Sequence, residues 1–280
     1  NFFFAYLITS LPLMLFSLFN FKTKLILSIA GHPKINFFRK YLWKIASKKI
    51  FAVICPSEEL RINLIKQGLF DKDKIFVIQD PHLNIQNINK LKNKKILEEF
   101  FDNGKILISI GRLTKQKNFN FLIRNFKAIK SQHSNLKLII IGEGEDKIFL
   151  KKIITDLNMN EDIKIVGHKD NIYNYLTNSD YFVSTSNWEG SSLAMIDAAY
   201  IGLPILCSDC PSGRREFIDN DKRGYLYLSN NAKDFQDKFN EMFNQDEKTL
   251  KLKLIAAKKE TKKYTFFYYF LKLNNIISDL

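Results

Sequence analysis

Apolar positions along the chain fall into two alternating rhythms. Short continuous runs, "KLILSIAG" (24–31), "IFAVICPS" (50–57) and "KIFVIQDP" (74–81), predict strands. Between them, "INFFRKYLWKIASKK" (35–49) spaces its apolar residues by three and four, which predicts an amphipathic helix with a basic face. "SEELRINLIKQGL" predicts a helix capped by Ser57 and stopped by Gly68. A β-α-β-α-β order implies a parallel sheet. Residues 84–104 are polar and rich in Asn and Lys, with a short helical piece near their end, and read as a linker. A second series follows: strands at 105–111, 136–142, 163–167, 181–186, 204–209 and a short "GYLYL", with helices near 118–132, 146–157, 171–178, 191–201 and 213–219. Strands this continuously apolar belong to a sheet covered on both faces. The expected fold class is α/β, as two Rossmann-like lobes: residues 1–86, a linker at 87–104, 105–262, and a closing segment 263–280. Ligands of such folds bind at the carboxyl ends of the strands and between lobes.

Two apolar stretches admit a second reading. Residues 2–19, "FFFAYLITSLPLMLFSLF", are almost long enough to span a bilayer. Pro12, the hydroxyl residues and the strand that follows at once favour a buried helix feeding a parallel strand over a membrane-associated segment. No basic region precedes the stretch, so it is not a secretory signal. "YTFFYYFLKL" (264–273) has the composition of a stacking platform for single-stranded nucleic acid, but a helix with one buried face is favoured.

Composition narrows the partners only partly. With 46% hydrophobic and 26% charged residues the chain can bury a core and is not disordered. Forty-three Lys and Arg against 29 Asp and Glu give a net charge of +14, which favours an anionic partner: nucleotide, nucleic acid or acidic membrane. Part of that surplus is a bias toward Ile, Lys, Asn and Phe. No nucleic-acid-binding motif is present, so nucleic acid is not an expected partner. Three cysteines, Cys55, Cys207 and Cys210, fit a reducing, cytoplasmic setting. Cys207 and Cys210 form a C-x-x-C, but a metal site needs two further ligands that the sequence does not offer nearby; plain buried or loop cysteines are the favoured reading.

Three stretches carry candidate chemistry. "IGRLTKQKN" (110–118) follows a strand: Gly111 permits a tight turn, and Arg112 and Lys117 provide a planar fork and a point charge suited to a diphosphate. Alone, a solvated basic loop explains them as well. "IIIGEGED" (139–146) places Gly142 and Gly144 after a strand, where glycine lets a nucleobase or ribose approach the backbone; without a third glycine it is no dinucleotide fingerprint. "SNWEGSSLAMIDAAYIGLP" (186–204) puts Glu189 and Gly190 in a turn, Ser191 or Ser192 at a helix N-cap, and Asp197 inside that helix. A helix N-terminus holds phosphate. Two carboxylates straddling one match the order of a nucleotide sugar: sugar hydroxyls, diphosphate, ribose hydroxyls. The bland alternative makes Glu189 a turn residue and Asp197 a local cap or ion pair. His32, after the strand "LILSIAG", and His168, after "IKIVG", stand at strand ends and are structural or ligand-facing; His82 and His133 read as solvated surface.

Glu189 and Asp197 at that spacing, with "GRLTKQKN", "GEGED" and "LPILCSDCPSGRREFI", resemble the nucleotide-sugar-dependent, retaining glycosyltransferases of family 4, which have the GT-B fold of two Rossmann-like lobes. The resemblance runs from about residue 105 to 228. "SIAGHPKINFFRKYLW" resembles the acceptor lobe of bacterial members that build surface polysaccharides and lipopolysaccharides. It implies transfer of a sugar from a UDP- or GDP-sugar to a lipid-linked or polysaccharide acceptor. Arg112 and Lys117 would bind the diphosphate, and Glu189 the sugar hydroxyls. The backbone N–H groups of Ser191, Ser192 and Leu193 would face sugar and phosphate, and Asp197 would take the ribose position where Glu is usual. His32 would meet acceptor or sugar, and His168 the nucleobase. No cofactor and no metal are implied: no D-x-D cluster stands at a strand end, and cations do the neutralising. Where similar sequences carry Pro, this one has Arg214, read with Arg215 as solvated. The last helix would return to the first lobe. A complete first lobe would match the second in size, so the resemblance implies a first lobe truncated at its start, lacking an opening strand and Gly-rich loop. The basic helix, with Phe37, Phe38, Tyr41 and Trp43 beside Lys34, Arg39, Lys40 and Lys44, is suited either to an anionic cytoplasmic leaflet, making the protein peripheral there, or to packing on its own sheet. The competing function is a non-catalytic glycosyltransferase-like binding module, or a basic nucleic-acid- or membrane-binding protein.

Overall fold

The computed structural model describes residues 1–6, 10–31, 36–94, 99–101, 104–211 and 213–279. The elements in chain order are β1 (Phe2–Tyr6), α1 (Ser10–Leu18), β2 (Lys24–Ser28), α2 (Phe37–Ala46), β3 (Ile50–Cys55), α3 (Glu58–Lys66), β4 (Ile75–Val77) and α4 (Ile85–Leu91). They continue with β5 (Lys105–Ile110), α5 (Phe119–Gln132), β6 (Leu136–Ile141), α6 (Lys147–Asp156), β7 (Ile163–Ile165), α7 (Tyr173–Thr177), β8 (Tyr181–Ser184) and α8 (Leu193–Ile201). Last come β9 (Ile205–Asp209), α9 (Arg214–Ile218), β10 (Tyr225–Leu228), α10 (Ala232–Phe243), α11 (Glu247–Glu260) and α12 (Phe266–Asp279). The chain divides into two compact units: residues 1–82 with 263–280, and residues 83–262.

The first unit holds a four-stranded parallel sheet in the order β1-β2-β3-β4. Successive side chains of β2 and β3 point to opposite faces. Leu25, Leu27 and Val53 join Leu13, Phe16, Trp43, Ala46, Leu60 and Leu64 in one core. Ile26, Ala52 and Ile54 join Ile78 and Ile276 in another, with Tyr269, Leu273 and Ile277 of α12 against it. The closing helix thus covers one face of this sheet. Ser57 caps α3, accepting from the Leu60 N–H, and Gly68 follows with φ +62°.

Residues 2–19 are not one helix. Phe2–Tyr6 is a strand paired in parallel with β2, Phe2 opposite Lys24, and the helix begins only at Ser10. Its aromatic run suits a pleated, half-buried surface, and Pro12 falls in the first turn of α1, where its missing N–H costs nothing. Among the described residues no helix is long and apolar enough to cross a membrane. In α2, Trp43 is buried against Phe70 and is not part of the exposed face.

The second unit holds a six-stranded parallel sheet in the order β10-β9-β8-β5-β6-β7. Leu107, Leu138 and Ile140 on one face are sealed by Leu122, Phe126 and Ile129 of α5 and by Phe235, Phe239 and Met242 of α10. His133 is half-buried rather than fully solvated: its ring lies 3.9 Å from that of Phe243 and its Nε2 is 2.9 Å from Asn240 Oδ1. All three cysteines are buried and none forms a disulfide. After β5 the chain builds outward through β6 and β7, then returns to lay β8, β9 and β10 on the other side. The reversal lies between β5 and β8, and a crevice at the carboxyl ends of such a pair is where open α/β sheets take ligands.

Candidate functional site

Two loops meet at that reversal: 111–118 after β5 and 185–192 after β8. Thr185 Oγ1 donates to the carbonyls of Lys117 and Asn118 at 3.1 Å, the Asn187 N–H to Gln116 O at 2.8 Å, and Gln116 Nε2 to Trp188 O at 3.0 Å. Asn118 adopts φ 53°, a left-handed conformation that Asn tolerates, and α5 starts immediately after it. The loops therefore hold each other.

At their contact sits a buried charge cluster. The Glu189 side chain is 6% exposed, and its Oε1 accepts three hydrogen bonds: from Lys117 Nζ at 2.7 Å, Ser186 Oγ at 2.6 Å and Arg214 NH2 at 3.1 Å. Among the described residues Oε2 has no hydrogen-bond partner, and it is not one of the sealed, unsatisfied atoms. One carboxylate oxygen is saturated by the protein and the other remains available to a donor from a ligand.

Arg214 corrects the expectation that it is solvated. Its side chain is fully buried, and its guanidinium donates to Ser192 Oγ (2.9 Å), Ser208 O (3.1 Å) and Oγ (2.7 Å), Ser184 Oγ (2.8 Å) and Glu189. A planar guanidinium with five donors suits such a cage. A buried charge is tolerated when paired and fully hydrogen-bonded, and the serines of β8 and β9 supply those bonds. Arg215 does reach solvent, pairing with Asp209 at the surface. Nothing in the local pattern separates the two arginines; the signal lies in Ser184, Ser186, Ser192 and Ser208, polar residues at core positions of two strands and a turn.

The helix after Glu189 also differs in detail from the sequence reading. Ser192 is the N-cap residue of α8, but its hydroxyl accepts from Arg214 and makes no capping bond. The Leu193 N–H turns back to Ser191 O at 2.9 Å. Gly190 completes the turn between Glu189 and Ser191. Asp197, the fifth residue of α8, is buried, and Tyr173 donates its hydroxyl to Oδ1 at 3.1 Å. Burial, then the Asp197 charge and this bond, hold the Tyr173 phenol well above the ordinary tyrosine range. Sequence reasoning does not find Tyr173 or Ser186; Tyr173 lies on a different helix, and only the fold joins it to Asp197.

The remaining candidates fall around this cluster. Arg112 is exposed, its NH2 3.4 Å from Gln116 Oε1. Gly111 lies against the Lys117 side chain: a Cβ there would stand 3.0 Å from Lys117 Cδ and Cε. Gly142 and Gly144 have a reason other than ligand approach. A Cβ at Gly142 would meet Gly111 O at 1.9 Å, and one at Gly144 would meet Leu113 O at 2.3 Å, so both glycines let the two loops pack backbone to backbone. His168, after β7, is exposed, with Nε2 3.5 Å from Asp170 Oδ1. His32 lies outside the described residues, as does Lys34. Among the described residues no group of three or more His, Cys, Asp or Glu is arranged to hold a metal ion.

Comparison with known proteins gives the family and the fold. A family model described as "Glycosyl transferases group 1" matches residues 91–272. The chain is 30% identical over 212 residues to an N-acetylgalactosamine-N,N'-diacetylbacillosaminyl-diphospho-undecaprenol 4-alpha-N-acetylgalactosaminyltransferase of Campylobacter jejuni, covering 75% of this chain and 57% of that one. It is 30% identical over 207 residues to a poly(ribitol-phosphate) alpha-N-acetylglucosaminyltransferase of Staphylococcus aureus, covering 74% and 39%. Among solved structures, a TarM variant of Staphylococcus aureus in complex with fondaparinux, alpha-GlcNAc-glycerol and UDP superposes with a TM-score of 0.73 at 26% identity, covering 92% of this chain and 51% of that one. HepE of Anabaena in complex with UDP has the same fold, with a TM-score of 0.81 at 17% identity over 100% and 79%. The two parallel sheets are those of the GT-B fold. The chain spans about half the length of the curated relatives it matches.

Proposed function

The chain belongs to the glycosyl transferases group 1, and from that membership we propose that it transfers a sugar from a UDP- or GDP-sugar to a hydroxyl of a lipid-linked or glycan acceptor, with retention of configuration, in the building of bacterial cell-surface glycans. The observation that carries this reading is Glu189: a buried carboxylate at the sheet's reversal, with Oε1 held by Lys117, Arg214 and Ser186 and Oε2 open to a ligand hydroxyl.

The roles follow from that arrangement. Glu189 Oε2 accepts from the donor sugar. Lys117 spends one of its three N–H donors on Glu189 and keeps two for a phosphate oxygen. With Arg112 and the N-terminus of α8 it stabilises the charge that grows on the leaving diphosphate. Arg214 holds Glu189 in place when Lys117 turns to the phosphates. Asp197, positioned by Tyr173, is assigned to the ribose, and His168 with the Gly142–Gly144 loop to the base. The acceptor hydroxyl attacks from the face the diphosphate leaves, and a phosphate oxygen takes its proton. The relatives' names support donor and acceptor classes: UDP occupies the TarM and HepE structures, and the Campylobacter enzyme is named for a diphospho-undecaprenol acceptor. On α2, Phe37 and Phe38 are 80% and 81% exposed, and Tyr41 lies beside Lys40 and Lys44. That face suits peripheral binding to an anionic cytoplasmic leaflet.

The test is calorimetric titration of UDP and GDP into the full-length protein, with transfer assayed from a panel of UDP- and GDP-sugars. One nucleotide should bind, Lys117→Ala should weaken it, and Glu189→Ala should abolish transfer while leaving the nucleotide bound. If neither nucleotide binds, or both variants transfer sugar normally, the reading is wrong.

A further inference from the structure

The first unit carries a cavity unrelated to the chemistry above. It occupies about 620 Å³ and is lined by the end of α1, the loop that follows, and the starts of β2, β3 and β4. Lys24 and Ile50 open β2 and β3, and Lys74 directly precedes β4. The cavity is therefore at the amino ends of its parallel strands, the edge away from the carboxyl ends where open α/β sheets take their substrates.

Its lining has two components. Phe16, Phe19, Phe21 and Phe51 form an aromatic wall, with the Phe16 and Phe21 ring centroids 4.8 Å apart and those of Phe19 and Phe21 6.0 Å apart. Lys22, Lys24, Lys49 and Lys74 supply four positive charges, and no Asp or Glu is among the described lining residues. Among the described residues none of these lysines is in an ion pair.

The four are not equivalent. Lys49 is structural, since its ammonium reaches Ser17 O (3.2 Å), Phe19 O (3.5 Å) and Asn20 Oδ1 (3.0 Å) and closes the C-terminus of α1. Lys74 gives one donor to Ile50 O at 2.9 Å and keeps two. Lys24 lies over the Phe51 ring, 4.4 Å from its centroid. Lys22 has no polar partner among the described residues. Scattered surface lysines are ordinary and repel one another weakly. Here they ring a concave, aromatic-walled space, and a low-dielectric wall focuses their field on whatever enters. A volume of this size fits a small organic ligand.

We propose that this cavity binds a phosphate ester bearing an apolar group, with the phosphate on Lys22, Lys24 and Lys74 and the apolar part on Phe19 and Phe21. That chemistry comes either from a phospholipid headgroup with its chains or from a soluble apolar phosphate. The inference is independent of the reaction assigned to the second unit.

The test is calorimetric titration of the chain with dihexanoyl phosphatidate, against inorganic phosphate and dihexanoyl phosphatidylcholine. Phosphatidate should bind at one site per chain and more tightly than either control. The double variant Lys22→Gln with Lys24→Gln should weaken it roughly five- to tenfold, at an unchanged thermal midpoint. Vesicles of phosphatidylcholine with phosphatidate should displace the soluble probe if the source is a bilayer, and leave it bound if the source is a soluble ester; either supports the site. Three results would overturn it: no binding of phosphatidate, equal binding of phosphatidylcholine, or binding untouched by the double variant.

Discussion

The carboxyl edge of the second sheet and the amino edge of the first both gather positive charge, and they treat it in opposite ways. At the carboxyl ends of β5, β8 and β9, Lys117 and Arg214 are drawn into the protein and compensated by Glu189 and a set of serines. At the amino ends of β2, β3 and β4, four lysines ring an open cavity with no carboxylate among its described lining residues. The difference follows from solvation. A charge removed from water must be paired and hydrogen-bonded or it costs several kcal/mol, whereas a solvated ammonium needs no internal partner. The compensated edge is therefore built to a fixed geometry. The uncompensated edge is an attractive potential without one.

The largest effect belongs to Arg214. Arg214→Met removes the buried cation, leaves Glu189 to Lys117 and Ser186 alone, and takes a donor from the hydroxyls of Ser184, Ser192 and Ser208. Breaking a buried pair by deleting one partner costs about 3–5 kcal/mol, to be read as a shift of the denaturant midpoint. Adding Glu189→Gln should recover part of that loss, since neighbours in one network are not additive. A loss below about 1 kcal/mol would mean that the cluster is solvated and the contrast between the edges is false. Next is Lys117. Arg214 remains in Lys117→Ala, so folding should suffer less, while the affinity for a nucleoside diphosphate should fall by about 1.5–3 kcal/mol, the worth of a charge-assisted hydrogen bond. If calorimetry showed stability and affinity failing together, Lys117 would belong to the scaffold and not to the ligand site.

That distinction shows what the sequence can and cannot carry. Continuous apolar runs announce both parallel sheets, because strands buried on two faces have no polar face to alternate with. Glu189 and Asp197 after β8, and Lys117 after β5, put the candidate site at the reversal of strand order. The network that holds Glu189 is not legible. Ser184, Ser192, Ser208 and Arg214 come from separate segments, and only the adjacency of β8 and β9 joins them. Arg214 and Arg215 are indistinguishable as letters, yet one is buried and one is solvated, because α9 begins with Arg214 turned inward. The strand Phe2–Tyr6 escapes the sequence reading for a related reason: an apolar run gives burial but not period, and its pairing partner lies beyond α1. Residues 229–262 receive no element from the sequence reading, although Phe235, Phe239 and Met242 repeat at helical spacing in α10.

Tyr173 sharpens the comparison at smaller scale, since it compensates Asp197 without a charge of its own. Tyr173→Phe should cost about 1.5–3 kcal/mol, as a hydrogen bond to a charged group is lost from a buried site. Its pH dependence has a defined sign. The folded phenol titrates above the unfolded one, chiefly through burial and then through Asp197. Its stabilising contribution is therefore complete below the unfolded value of about 10 and declines as pH rises beyond it. Stability measured by denaturant at successive pH values should fall above about pH 10 more steeply in the wild type than in Tyr173→Phe. Parallel curves would show that the Tyr173–Asp197 bond contributes nothing.

The smallest effect tests the open edge directly. If Lys22, at the rim of the first unit's cavity, is uncompensated, it feels only the repulsion of its neighbours, softened by water. Lys22→Gln should then leave stability unchanged or raise it, by no more than about 0.5 kcal/mol, and the gain should vanish in high salt as the Debye length shortens. Lys49→Gln should behave differently despite lining the same cavity, because it removes the cation that binds the carbonyls of Ser17 and Phe19. A loss of about 0.3–1 kcal/mol is expected for a cation deleted from a helix C-terminus. Opposite signs for two lysines of one cavity, measured by thermal melts at low and high salt, would separate the cation that builds the fold from the one left to attract a ligand. Equal losses for both would mean that Lys22 has a protein partner, and that this edge is compensated like the other.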